Sequence, residues 1–133
     1  MVVAEDGDRQ TQLLRGALDM CLLALLAKEP AHGYDLVRRV EAAGFEAVGY
    51  GTVYPLLTRM RRLGLVADEL QPSPSGPPRK VYALTDAGTA RLDAWRRQWR
   101  RFVEIVDATL TDQDTSRASG DAGADTPTDT PRS

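Results

Sequence analysis

The sequence is poor in the residue types that most chemistry needs, with one cysteine, one histidine and two lysines among 133 residues. A lone thiol, Cys21, excludes an intramolecular disulfide and removes the paired cysteine spacing of a zinc site, which fits a reducing, cytoplasmic setting. Long apolar runs are missing as well. Met20 to Ala27 is the longest, far short of the roughly 20 residues that span a bilayer, and no basic signal-peptide flank precedes it, so a soluble chain without a membrane partner is expected. His32 has no carboxylate or second ligand at metal spacing, and Cys21 falls on an apolar helix face where packing explains it. No nucleophile and base pair, glycine-rich phosphate loop or zinc motif appears. Neither an enzyme nor a metal or other cofactor is expected.

What is present is unevenly distributed. The formal charge is −2, but the acid is concentrated at the ends, with a net −2 in residues 1–12 and −3 in 111–133, so residues 13–110 carry +3. A local basic surface, rather than the total, decides whether phosphates are attracted. The tail 111–133 is built of Thr, Asp, Ser, Gly, Ala and Pro, too polar to offset its ordering entropy, and a disordered acidic tail is expected; residues 1–12 read as a similar arm.

Between the ends, four helical patterns and one hairpin follow in order. Leu14, Ala17, Leu18, Cys21, Leu22 and Leu25 recur at helical steps and predict a first helix, broken by Pro30 and Gly33. A second helix is predicted from Tyr34 to Ala43, stopped by Gly44, and a third from Val53 to Leu63, with Thr52 as N-cap, Pro55 in the first turn and Gly64 after the last. On the third helix Val53, Leu56, Leu57, Met60 and Leu63 share an apolar face, while Tyr54, Pro55, Thr58, Arg61 and Arg62 lie opposite with Arg59 flanking. Two extended runs, 65–70 and 80–84, are joined by Gln71 to Arg79 with four prolines, predicting a projecting hairpin. Thr85 and Asp86 then open a long helix over about 85–110. The order is that of a mainly helical winged helix-turn-helix domain, three helices and a two-stranded wing, followed by a long C-terminal helix.

The runs Gly33-Tyr34-Asp35-Leu36, Gly51-Thr52-Val53-Tyr54-Pro55-Leu56-Leu57, Leu63-Gly64-Leu65-Val66 and Gly76-Pro77-Pro78-Arg79-Lys80-Val81-Tyr82-Ala83-Leu84-Thr85-Asp86-Ala87-Gly88 resemble the PadR transcriptional regulators, with the likeness covering about residues 13–110. The resemblance implies a dimeric repressor that leaves its operator when a small molecule binds. The single helix after the wing is similar to the family's short subfamily. Residue by residue it implies a phosphate contact for Tyr34. The wing loop Pro72-Ser73-Pro74-Ser75 and the acidic tail depart from the family pattern.

For double-stranded DNA as the partner, the residues expected to make contact are Tyr34, Thr52, Tyr54, Pro55, Thr58, Arg59, Arg62, Arg79 and Lys80. Thr52, Tyr54 and Pro55 set the entry of the third helix into the major groove, and Arg59 and Arg62 meet phosphates or base edges. Arg79 and Lys80 sit at the base of a stiff wing, where a guanidinium suits a narrow minor groove. Leu92, Trp95, Trp99, Phe102, Val106 and Leu110 step close to a heptad seam, and with Leu14 and Leu18 of the first helix they are expected to form a homodimer. Trp95 and Trp99 facing their symmetry mates would frame a site for a planar aromatic or cationic effector. Two other readings stay open, a winged-helix module that binds an acidic protein and an architectural regulator that needs no ligand.

Overall fold

A computed structural model describes residues 6–46 and 48–122, with backbone alone for residue 6 and for 113–122. The elements are α1 (Asp6–Arg15), α2 (Leu18–Lys28), β1 (Ala31–His32), α3 (Gly33–Ala42), α4 (Tyr50–Arg62), β2 (Val66–Ser73), β3 (Gly76–Leu84) and α5 (Asp86–Ala122). They fall into two units, residues 1–94 and residues 95–133.

Helix α1 occupies part of the arm expected to be unstructured. Arg15 in its last turn complements the helix dipole, and the Thr11 hydroxyl donates to the Gly7 carbonyl at 2.9 Å. Helix α5 likewise runs to Ala122, past the Leu110 limit read from the seam. Extending a formed helix costs far less than starting one, which lets polar residues continue it. Residues 1–5 and 123–133, the remainder of the arm and tail, lie outside the described residues.

The single first helix of the sequence reading is two. Gly16 and Ala17 break it, with Ala17 at φ −130°, so Leu14 belongs to α1 and Leu18 opens α2. Leu18, Leu22, Leu23 and Leu26 of α2 are buried, whereas only Leu18 and Leu22 lie on the face read from periodicity. A short helix apolar nearly all round is covered on more than one side. Half-buried Cys21 has its thiol pushed above the ordinary value by burial and then by the Asp19 carboxylate.

Leu36 and Val40 of α3, Val53, Leu57 and Met60 of α4, Leu65 and Val66 at the foot of the hairpin, Tyr82 of β3 and Leu92 of α5 complete the core. Leu63, expected on the core face of α4, is 52% exposed. It is the C-cap residue, where the chain leaves the helix for Gly64 at φ 79° and the Leu65 N–H returns to the Met60 carbonyl at 2.9 Å.

The sheet has three antiparallel strands in the order β1-β3-β2, one more than expected. The added strand pairs Ala31 with Tyr82 and His32 with Val81. The wing is also longer than its predicted runs. β2 and β3 pair from Val66 opposite Leu84 to Ser73 opposite Gly76, leaving Pro74 and Ser75 as the turn, with a register shift between Gln71 and Ser73. Pro72, Pro77 and Pro78 therefore lie in strands, clustered where the register slips and where β1 no longer flanks β3, so donors they lack are not required on that side.

One junction ties recognition helix, wing and α5 together. The Thr85 hydroxyl donates to the Gly64 carbonyl at 2.7 Å and accepts from the Gly88 N–H at 3.0 Å, while the Thr85 N–H donates to the Leu65 carbonyl at 3.1 Å. Thr85 is thus the N-cap of α5, as its position before Asp86 predicts. Gly88 is buried here, and a Cβ on it would collide with the Leu65 carbonyl and the Leu84 side chain. Gly88→Ala is accordingly expected to lower unfolding free energy by about 1–3 kcal/mol, as overpacking does; urea denaturation followed by circular dichroism checks it.

Candidate nucleic-acid interface

Helix α4 starts three residues earlier than its sequence signals suggest. Gly49 is the N-cap with extended backbone, and its carbonyl receives the N–H groups of Thr52 at 3.0 Å and Val53 at 3.1 Å. Thr52 is therefore an exposed residue inside the first turn and caps nothing, and Pro55 falls beyond that turn, depriving the Gly51 carbonyl of its usual donor four residues on. A helix start without a side-chain cap carries no Ser, Thr, Asp or Asn to announce it.

The earlier start places Tyr50 and Tyr54 one turn apart on one face. Tyr34, at the beginning of α3, completes a three-ring stack: Tyr34 to Tyr50 at 4.6 Å between centroids and 16° between planes, Tyr50 to Tyr54 at 5.3 Å and 28°. Tyr34 is 65% exposed, so its ring and hydroxyl are open to a partner. Tyr50 had no place among the expected contacts, because a helix begun at Val53 leaves it in a loop. Its hydroxyl is held protonated above the ordinary range by burial, then by the neighbouring Tyr54 and Tyr34. Gly33 permits the approach, since a Cβ there would come within 2.6 Å of Tyr50 Cε1.

The stack lines a cleft of about 700 Å³ whose opposite wall is the wing, with His32, Arg38, Arg79, Lys80 and the prolines 77 and 78 around it. Arg79 and Lys80 are both exposed, but their partners differ. Lys80 Nζ lies 3.7 Å from Asp68, which Arg61 also approaches at 3.8 Å, whereas Arg79 Nη1 meets Nε2 of His32 at 3.0 Å. His32, which the sequence offers no metal partner, is the N-cap of α3, with Nδ1 3.3 Å from the Asp35 N–H.

On the outer side of α4, Pro55, Arg59 and Arg62 are exposed and Thr58 is half-buried. Among the described residues neither Arg59 nor Arg62 has an acidic partner, in contrast to Arg39, which is held by Glu29 at 3.1 Å and Asp35 at 2.9 Å. The candidate interface therefore combines the tyrosine stack and Arg79 of the wing with Arg59 and Arg62 of α4, three arginines without a carboxylate partner among the described residues, the equipment for meeting phosphate oxygens and base edges. No cluster of metal-ligating side chains occurs among the described residues, and no helix is long and apolar enough to cross a membrane.

The residues expected at a dimer contact divide. Leu18 and Leu92 are buried within their own unit and Leu14 is half-buried. In the second unit Trp99, Phe102, Ile105, Val106 and Leu110 are exposed by 42, 56, 53, 37 and 56%, with Trp99 and Phe102 in contact at 6.0 Å, and Trp95 is half-buried. Ile105 joins the row without having been read into it.

As a test of the stack, Gly33→Ala must push the Tyr50 ring aside. Affinity for duplex DNA, measured by fluorescence anisotropy, is expected to fall severalfold while helix content by circular dichroism stays near that of the unmodified protein.

Comparison with known proteins agrees with this geometry. Residues 22–94 match the model of the transcriptional regulator PadR-like family. The chain is 36% identical over 92 residues to the transcriptional regulator Rv3488 of Mycobacterium tuberculosis, covering 69% of this chain and 84% of that protein. It is 28% identical over 104 residues to the transcriptional regulator YqjI of Escherichia coli, covering 77% of this chain but 48% of that one, so it spans about half the length of that relative. Among solved structures, a PadR family regulator of Eggerthella lenta superimposes with a TM-score of 0.70 at 37% identity, covering 75% of this chain and 87% of the other. A PadR-like regulator of Bacillus cereus gives 0.68 at 35%, covering 74% and 96%. With the family model matched over more than half of its length and these relatives beside it, the chain belongs to the transcriptional regulator PadR-like family.

Proposed function

We propose that the protein is a homodimeric, ligand-responsive repressor that binds a pseudo-palindromic operator and leaves it when a planar aromatic or cationic effector is taken up. The observation carrying the DNA part is the outer face of α4, where Arg59 and Arg62 stand exposed without acidic partners among the described residues. In this reading α4 enters the major groove, Tyr34, Thr52, Tyr54, Pro55 and Thr58 set its entry, and Arg79 and Lys80 follow the adjacent backbone or minor groove. Lys80 contributes less than Arg79, because Asp68 offsets its charge.

Support for the dimer comes from the row Trp99, Phe102, Ile105, Val106 and Leu110. Five large apolar side chains on one helix stretch, each more than a third exposed, form a face that a second copy would cover at the spacing of a helix seam. Trp95, half-buried, continues the row by one turn; in the other unit Leu14 is half-buried and Leu18 and Leu92 are buried in the core. Two copies would present two α4 helices to half-sites about 34–36 Å apart, one DNA turn. Paired Trp95 and Trp99 faces would hold the effector by stacking and cation–π attraction.

Arg62→Ala is expected to weaken duplex binding by about 1–3 kcal/mol, with the melting temperature nearly unchanged; a gel shift against the DNA upstream of the protein's own gene, alongside a thermal scan, checks both. Trp99→Ala is expected to shift sedimentation toward monomer, costing about 2 kcal/mol of association, and to abolish saturable quenching of tryptophan emission by a planar cation such as ethidium. An unchanged dimer with unchanged quenching would remove Trp99 from both roles.

A further inference from the structure

His32 is the chain's single histidine, and three elements meet at it. It is the N-cap of α3, it pairs with Val81 across the sheet, and its ring reaches the wing. Its two nitrogens face two donors, the Asp35 N–H at 3.3 Å from Nδ1 and Arg79 Nη1 at 3.0 Å from Nε2. A neutral imidazole has one accepting nitrogen, and arginine has no acceptor to offer in return. The two contacts therefore compete for a single lone pair. The Arg79 contact has the ordinary length of such a bond and the Asp35 contact is beyond it.

We propose that His32 is the positioning residue for Arg79, accepting from its guanidinium through Nε2 and so holding it toward the DNA across the β1-β3 pairing. The inference rests on the DNA-binding reading of this face. The character of the acceptor is the reason. Arg39 is bound by two carboxylates, and Arg61 and Lys80 share Asp68, so each has its charge offset. A neutral imidazole fixes the Arg79 side chain without subtracting any charge, and it engages one of five N–H donors, leaving four for a phosphate or base edge. A long side chain already held in place loses less freedom on binding, which is where the gain in affinity arises.

The test separates capping from positioning in the full chain. His32→Ser keeps an oxygen suited to capping a helix but is too short to reach Arg79, and His32→Asn provides a second capping side chain of that kind. His32→Gln retains a neutral acceptor of longer reach. Binding to a fluorescein-labelled random-sequence duplex is followed by anisotropy over a range of salt, with thermal midpoints recorded in parallel. Arg79→Ala is expected to lose roughly fivefold in affinity and about one unit of salt slope. His32→Ser is expected to reproduce most of that affinity loss at an unchanged midpoint, His32→Gln to restore it, and His32→Ser to cost nothing further when Arg79 is already alanine. Should His32→Ser and His32→Asn bind as the unmodified protein does, or should their losses add in full to that of Arg79→Ala, the positioning role is overturned while DNA binding stands. If the unmodified protein itself ignores the duplex, the DNA-binding reading falls and this inference with it.

Discussion

The Thr85 hydroxyl and the main chain around it determine where everything else can be. In donating to the Gly64 carbonyl and accepting from the Gly88 N–H, this side chain joins the end of α4 to the start of α5, and the Thr85 N–H fastens the foot of the wing at Leu65. Each bond is worth about 1 kcal/mol alone. Together they make the angle between recognition helix and wing a property of backbone geometry instead of loose side-chain packing. The bare Cα of Gly88 is part of the same constraint, because only hydrogen fits against the Leu65 carbonyl.

On that frame the distribution of charge separates structural cations from functional ones. Arg39 anchors the entry to α3 through Glu29 and Asp35, and Asp68 draws Arg61 and Lys80 together across the wing. Such partly accessible pairs lower the local positive potential where they stand. Arg59, Arg62 and Arg79 face no carboxylate among the described residues. Arg79 lines the cleft with the three tyrosines, while Arg59 and Arg62 stand exposed on α4, so a net-acidic chain still carries local positive charge that attracts phosphates.

Helices and wing were legible in the sequence wherever the chain carries its own punctuation. Gly44, Gly64 and Thr85 mark element ends, and the apolar spacing of Val53, Leu57 and Met60 identifies the core face of α4. Reading failed where the marker is missing or misleading. Gly49 caps α4 by backbone alone, which drew the start to Thr52 and hid Tyr50, the middle ring of the stack. Prolines suggested a loop over 71–79, yet Pro72, Pro77 and Pro78 are accommodated within strands near a register shift and only Pro74 lies in the turn. The two-residue strand β1 is too short to have a period, and the role of His32 depends on Arg79, a residue 47 positions away. The apolar row of α5 was visible because helical spacing alone reveals it.

The prolines of the wing have a consequence for the molecule as a solute. An exposed β-ribbon ordinarily shows neighbours a row of vacant amide donors and carbonyls, an invitation to sheet extension and insoluble assembly. Pro72, Pro77 and Pro78 contribute no such donors, and the irregular register in the same stretch spoils the flat template that a foreign chain would need. The protrusion can thus stand far enough out to reach a duplex while remaining unattractive to other polypeptides.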